Sequence, residues 1–168
     1  MSSDRVNETE KSSSKATNME HPEATPDLYI EPEIHDKVMM MKDQFPHNMG
    51  TTIGIRFMSF ARNEVVAEMP VDERTIQPFG ILHGGASVAL AETLASVGAW
   101  LNLRDETSHA VGLEINANHI RPVPKGGRVI GRATPIHRGA QTQVWHIEIR
   151  TPQDKLVCTS RCTMAIIK

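Results

Sequence analysis

The chain has 168 residues, the size of one ordinary domain, and 18 Lys and Arg against 20 Asp and Glu leave a formal charge of −2. That balance excludes a general nucleic-acid binder, which needs a basic excess. No uncharged apolar run reaches the ~18 residues of a membrane span, and two cysteines are too few for a disulfide scaffold.

Residues 1–27 are polar, rich in Ser, Thr and Glu, and predict a disordered tail ahead of one domain over 28–168. The first 33 residues hold eight acids against three bases and no apolar signal-peptide core, which predicts a cytoplasmic protein. The stretch EPEIHDKVMMMKDQF then places apolar residues at 34, 38, 41 and 45, the spacing of a helix starting near Glu31. Its three consecutive methionines read as adaptable packing against a neighbouring element.

GIRFMSFARNEVVAEMPV predicts an antiparallel hairpin turning at Arg62-Asn63. A loop, DERTIQPFGI, leads into LHGGASVALAETLASVGAWLNL, the one long apolar helix, about 20 residues. Four strands follow: HAVGLEINANHIRPV, GRVIGRATPIHRG, AQTQVWHIEIRT and LVCTSRCTMAII. In the first, Leu113, Ile115 and Ala117 alternate against Glu114, Asn116 and Asn118. Helix, two strands, long helix and four strands predict an α+β domain, a curved antiparallel sheet wrapped around the long helix. Cys158 and Cys162 lie four residues apart on the last strand, roughly 13 Å, which is too far to bridge. They read as reduced core residues.

The chemistry concentrates in QPFGILHGGASVALAETLAS. Glu92 interrupts an apolar helix beside Leu90, Ala91 and Leu94, and burying a carboxylate costs several kcal/mol unless it is partnered or its pKa shifts. It is therefore either a glutamate satisfied by a neighbour or an oligomer interface, or a desolvated base or nucleophile. His83-Gly84-Gly85 opens the same helix, where free N–H groups and the helix dipole favour a developing negative charge. Gln77, in the loop before it, reads as an amide donor to a substrate or as an ordinary loop glutamine. Ser96, at i+4 from Glu92, faces the carboxylate's side, as a hydrogen-bonding group or as a small residue for tight packing.

Nine residues separate His83 from Glu92, which is half a turn beyond two full turns and a rise of roughly 13 Å. The two cannot meet one substrate within a single straight helix. If both serve one reaction, the carboxylate comes from a second copy of the chain. Arg121, Lys125, Arg128, Arg132 and Arg138 fall in an acid-free stretch, as solvated strand faces or as a site for a small polyphosphate ligand. The histidines lack the carboxylates and spacing of a zinc site, and no metal or cofactor is expected. Nucleophile-elbow, Walker and dinucleotide motifs are absent.

From about Gly54 onward the chain resembles the hotdog-fold acyl-CoA thioesterases. The resemblance extends to the branch acting on 1,4-dihydroxy-2-naphthoyl-CoA, 4-hydroxybenzoyl-CoA and related aromatic acyl-CoA or acyl-carrier-protein thioesters. It is carried by MPVDERTIQPFGILHGGASVALAET, VGLEINANHIRPV and HRGAQTQVWHIEI. It implies that Glu92 attacks the thioester carbonyl or activates water, that the Gly84 N–H polarises the carbonyl oxygen, and that Gln77 and His83 position the thioester, with Ser96 in support. It further implies that His119, Arg121, Arg138 and Gly139 contact coenzyme A, and that the chain forms at least a homodimer and by extension a homotetramer. Two other readings remain at this level. A hotdog dehydratase or hydratase would need a paired acid and base at the substrate's α and β carbons. A non-catalytic acyl-CoA sensor would carry a DNA-binding module, for which the acidic tail is unsuited.

Overall fold

The computed structural model describes residues 27–44 and 47–168. The proposed 1–27 tail lies outside these, except for its last residue, as does Phe45 of the first helical pattern. In chain order the elements are β1 (Tyr29–Ile30), a 3-10 turn (Pro32–Ile34), α1 (His35–Gln44), α2 (Met49–Thr52), β2 (Arg56–Ala61) and β3 (Glu64–Pro70). The long helix α3 (Gly84–Leu101) follows, then β4 (His109–His119), β5 (Arg128–Arg138), β6 (Thr142–Arg150) and β7 (Leu156–Ile167).

One seven-stranded sheet has the order β1-β2-β3-β5-β6-β7-β4, and α3 packs against its strands. The β2–β3 hairpin closes on Ala61 and Glu64 around the expected Arg62-Asn63 turn. The sheet is mixed rather than wholly antiparallel, because β1 runs parallel to β2. Neither β1 nor α2 was foreseen in the sequence. Two residues are too few to show a period, and α2 is one turn held by a capping box between Asn48 and Thr51. The first helix also starts differently. Pro32 opens a 3-10 turn, and only from His35 does the chain continue as α1. Ile34 and Val38 are buried and Met41 packs on the core, but Met39 and Met40 stay exposed, so the methionine run is split between core and surface.

Small residues let α3 approach the sheet. A Cβ on Gly98 would lie 2.6 Å from the ring of Trp145, and one on Gly131 would lie 2.6 Å from Leu94 Cδ1. Trp145 is fully buried, and its Nε1–H donates to Gln143 Oε1 at 3.2 Å. Gln143 Nε2 in turn donates to the Ala99 carbonyl on α3 at 3.3 Å, so the polar end of the largest core side chain is satisfied by the helix it packs on. Cys158 and Cys162 are buried and unbridged.

β4 departs from simple alternation. Its pairing with β7 shifts between Gly112 and Glu114, which leaves Leu113 as the extra residue of a bulge. Leu113 is therefore 62% exposed instead of pointing inward with Ile115 and Ala117. Being last in the sheet order, β4 also presents a long edge that is free among the described residues.

Candidate active site

The loop over residues 71–83 folds on itself before it reaches α3. The Thr75 hydroxyl donates to the Pro70 carbonyl at 2.8 Å, and the His83 N–H donates to the Thr75 carbonyl at 2.8 Å. Arg74 embraces the Asp72 carboxylate and holds its pKa down to about 2, mainly through their side-chain hydrogen bonds. Val71 N–H bonds to Gly127 and Leu82 N–H to Val123, pinning the loop at both ends. Between them Gln77-Pro78-Phe79-Gly80 makes a turn in which Gly80 N–H donates to the Gln77 carbonyl at 2.9 Å. Gly80 has φ of +75°, a conformation that side chains resist. Gln77 is half-buried on this scaffold.

His83 is the N-cap of α3, and its Nδ1 accepts from the Gly85 N–H at 2.8 Å. A neutral ring in that bond carries its proton on Nε2, leaving that edge able to donate. The Gly84 N–H has no acceptor among the described residues. It opens with Gln77, Ser87, His119 and Arg121 onto a cavity of about 300 Å³. A Cβ on Gly84 would lie 2.8 Å from His119 Nε2, so glycine is what allows the helix start and that ring to pack together. Ser87 escaped the sequence reading. It is 1% exposed, lines this cavity, and its hydroxyl makes no hydrogen bond to a described residue. The only sequence signal is a serine one turn after the HGG.

Glu92 is exposed in the single chain, against the expectation of a buried carboxylate. The sheet covers Leu90, Ala91, Leu94 and Ala95, while Glu92 projects past that covered face and makes no hydrogen bond or ion pair with a described residue. It does lie close to β4. A Cβ on Gly112 would be 2.7 Å from Glu92 Oε1, so this strand glycine makes room for the carboxylate. Burial first, and then the charges of Glu92 and Glu114, push the Cys162 thiol up to about 11. Glu92 and Ser96 share one wall of a groove of about 920 Å³ whose other walls are largely apolar. This groove and the Gly84 cavity share no lining residue.

The acid-free run of bases does not form one patch. Lys125 pairs with Glu73, and Arg132 with Glu64. Arg121 and His119 border the Gly84 cavity, but Arg138 Nη1 donates to Asn102 Oδ1 at 2.9 Å at the far end of α3. Gly139 is beside it, lining a separate cavity of about 380 Å³. An 18-residue helix, roughly 27 Å, separates the two groups. Within one chain they cannot hold the same phosphate. Among the described residues no three His, Cys, Asp or Glu side chains cluster as a metal site requires.

Comparison with known proteins decides the family. Residues 79–158 match the thioesterase superfamily. A 1,4-dihydroxy-2-naphthoyl-CoA hydrolase of Escherichia coli is 50% identical over 120 residues, 71% of this chain and 87% of that protein. The chain belongs to the thioesterase superfamily. A proofreading thioesterase of Klebsiella pneumoniae is 45% identical over 121 residues, 72% of this chain and 87% of that one. The crystal structure of a Haemophilus influenzae thioesterase superposes with a TM-score of 0.71 at 48% identity, covering 76% of this chain and 88% of that one. The thioesterase thus has the hotdog fold expected from its motifs, and it is a thioester hydrolase. Among its described residues no helix is long and apolar enough to cross a membrane.

Proposed function

We propose that this chain hydrolyses acyl-CoA thioesters, aromatic ones in particular, to the free acid and coenzyme A in the cytoplasm. The observation that carries the reading is Glu92, a carboxylate unpaired among the described residues beside an apolar groove, together with a Gly84 N–H likewise unpaired at the start of the same helix. Glu92 attacks the thioester carbon or activates the water that does so. The carbonyl oxygen, gaining negative charge, rests on the Gly84 N–H, where the helix dipole adds to the stabilisation. The departing thiolate takes the proton released from water and leaves as coenzyme A; where Glu92 itself attacks, that water then cleaves the acyl–Glu92 anhydride, giving the free acid and restoring the carboxylate. Gln77 and the Nε2 edge of His83 orient the thioester, and Ser96 supports Glu92 from one turn away.

Because the two unpaired groups open onto separate cavities, the working site combines Glu92 of one chain with Gln77, His83 and Gly84 of another. The free edge of β4 supports such pairing. It is eleven residues long, sits next to Glu92, and exposes Val111 and Leu113. Joining two chains there makes a dimer, and a tetramer then follows from pairing of dimers. His119 and Arg121 sit where coenzyme A would leave the Gly84 cavity. Arg138 and Gly139 serve the same ligand only from another chain.

Thiol release from benzoyl-CoA, with no change in crotonyl-CoA, tests the reaction class. A product of water addition to crotonyl-CoA, without thiol release, would instead make the chain a hydratase. Gln77→Ala is expected to lower kcat about 10²-fold, as one positioning hydrogen bond is lost from the transition state. Steady-state kinetics on benzoyl-CoA check this, and an unchanged kcat would leave Gln77 an ordinary loop glutamine.

A further inference from the structure

The segment before Gly54, which lies outside the resemblance, forms the roof side of the groove beside Glu92 through Leu28, Met41, Asn48, Met49 and Thr51. Met41 from α1 and Met49 from α2 line it together with Phe57 and Phe60 of β2 and Val97 of α3. The two phenylalanine rings stack with centroids 4.7 Å apart, Phe60 buried and Phe57 presenting the more open face. The polar residues of the roof side are already committed. Asn48 and Thr51 bond each other in the capping box, and Arg56 holds Glu68 at 2.6 Å. Free polar groups are thus left to the α3 wall, where Glu92 and Ser96 sit.

The roof is fixed at its start. Lys37 Nζ donates to the Trp100 carbonyl at 2.8 Å and lies 4.8 Å from the centre of the Trp100 ring, while Ile34 and Val38 are buried beneath. Glu31 bonds the hairpin through the Phe60 carbonyl at 2.9 Å and the Arg62 N–H at 2.6 Å. Past those anchors, the roof meets the groove with two unbranched methionines, and Met49 is 65% exposed. Methionine adapts its shape to the group it covers. At about 920 Å³ the space lies near the upper end of the ~300–1,000 Å³ common for small-molecule sites, more than a single ring needs.

We infer that this groove holds the acyl group of the thioester, and that Met41 and Met49 are specificity-determining residues that select apolar acyl groups larger than one aromatic ring. The inference rests on the proposed hydrolase activity, since Glu92 places the scissile carbonyl at the groove's edge.

Benzoyl-CoA and biphenyl-4-carbonyl-CoA present the same type of aryl carbonyl and differ chiefly in reach. The double variant Met41→Ala/Met49→Ala is expected to lower kcat/KM for the biphenyl substrate about tenfold more than for benzoyl-CoA, mostly through KM. Equal losses on both substrates, or no loss on the larger one, would overturn the assignment. Met49→Ala alone, at an exposed position, gives a smaller loss of the same kind and guards against misfolding of the double variant. Calorimetric binding of biphenyl-4-carboxylate, about tenfold weaker in the double variant, reads the groove without hydrolysis. If the wild-type chain releases no thiol from either ester yet shows this binding difference, the proposed reaction fails and the groove assignment survives. If it hydrolyses both with no dependence on the methionines, the reverse holds.

Discussion

Glu92→Gln is expected to lower kcat on an aromatic acyl-CoA by about 10³-fold or more while leaving substrate binding within a few-fold. The replacement keeps the size of the side chain and its fit over Gly112, where a Cβ would already meet Oε1 at 2.7 Å. What it removes is the negative charge and the oxygen nucleophile. Nothing else on the groove wall replaces these, since Ser96 is neutral and the nearby Cys162 thiol is buried with its pKa raised to about 11. Single-turnover kinetics together with binding of the intact thioester separate the two effects. A loss below tenfold would remove Glu92 from the chemistry.

Trp145→Ala is expected to destabilise the domain by about 3–5 kcal/mol, the range for deleting a large buried aromatic side chain. Gly98 brings α3 directly onto the indole ring, so truncation leaves a cavity beneath the helix. The change also strands the Gln143 amide oxygen, which accepts the indole N–H. Urea unfolding followed by circular dichroism would show the midpoint falling with little change in slope. Met49→Ala, at a 65% exposed position, should change the unfolding free energy by only a few tenths of a kcal/mol.

These two residues illustrate how far the sequence carries. The apolar run of α3 and the alternation in β5, β6 and β7 make the elements legible, because their periods follow from which face is buried. The HGG before the helix and the lone acid within it mark the chemistry for the same reason, as polar or small residues where packing alone asks for neither. Burial of Glu92 was not legible, since a helical acid between leucines reads as covered until the sheet is seen to occupy only one side of the helix. Leu113 was misplaced because one bulge residue inverts the alternation of a strand, and Gly112 in AVGLEIN was the single mark of where the pairing shifts. The bases from Arg121 to Arg138 are neighbours in sequence, but β5 carries them to opposite ends of the molecule. The roof over the groove was hidden for another reason. Its strand has two residues and its second helix has four, too short for any period to register.

The central claim is that one reaction uses Glu92 of one chain and the helix start of another. Its most direct test mixes two inactive variants, Glu92→Gln and Gly84→Pro. Proline is accepted at the first position of a helix and removes the N–H donor there, while the exposed His119 ring has room to swing from the added atoms. In a mixed dimer one site carries both defects and the other carries none. After subunit exchange, confirmed by native mass spectrometry, activity per mixed dimer should approach half that of the wild-type dimer. No recovery, with exchange and native folding both shown, would mean that the carboxylate and the Gly84 donor act within one chain, contradicting the shared site.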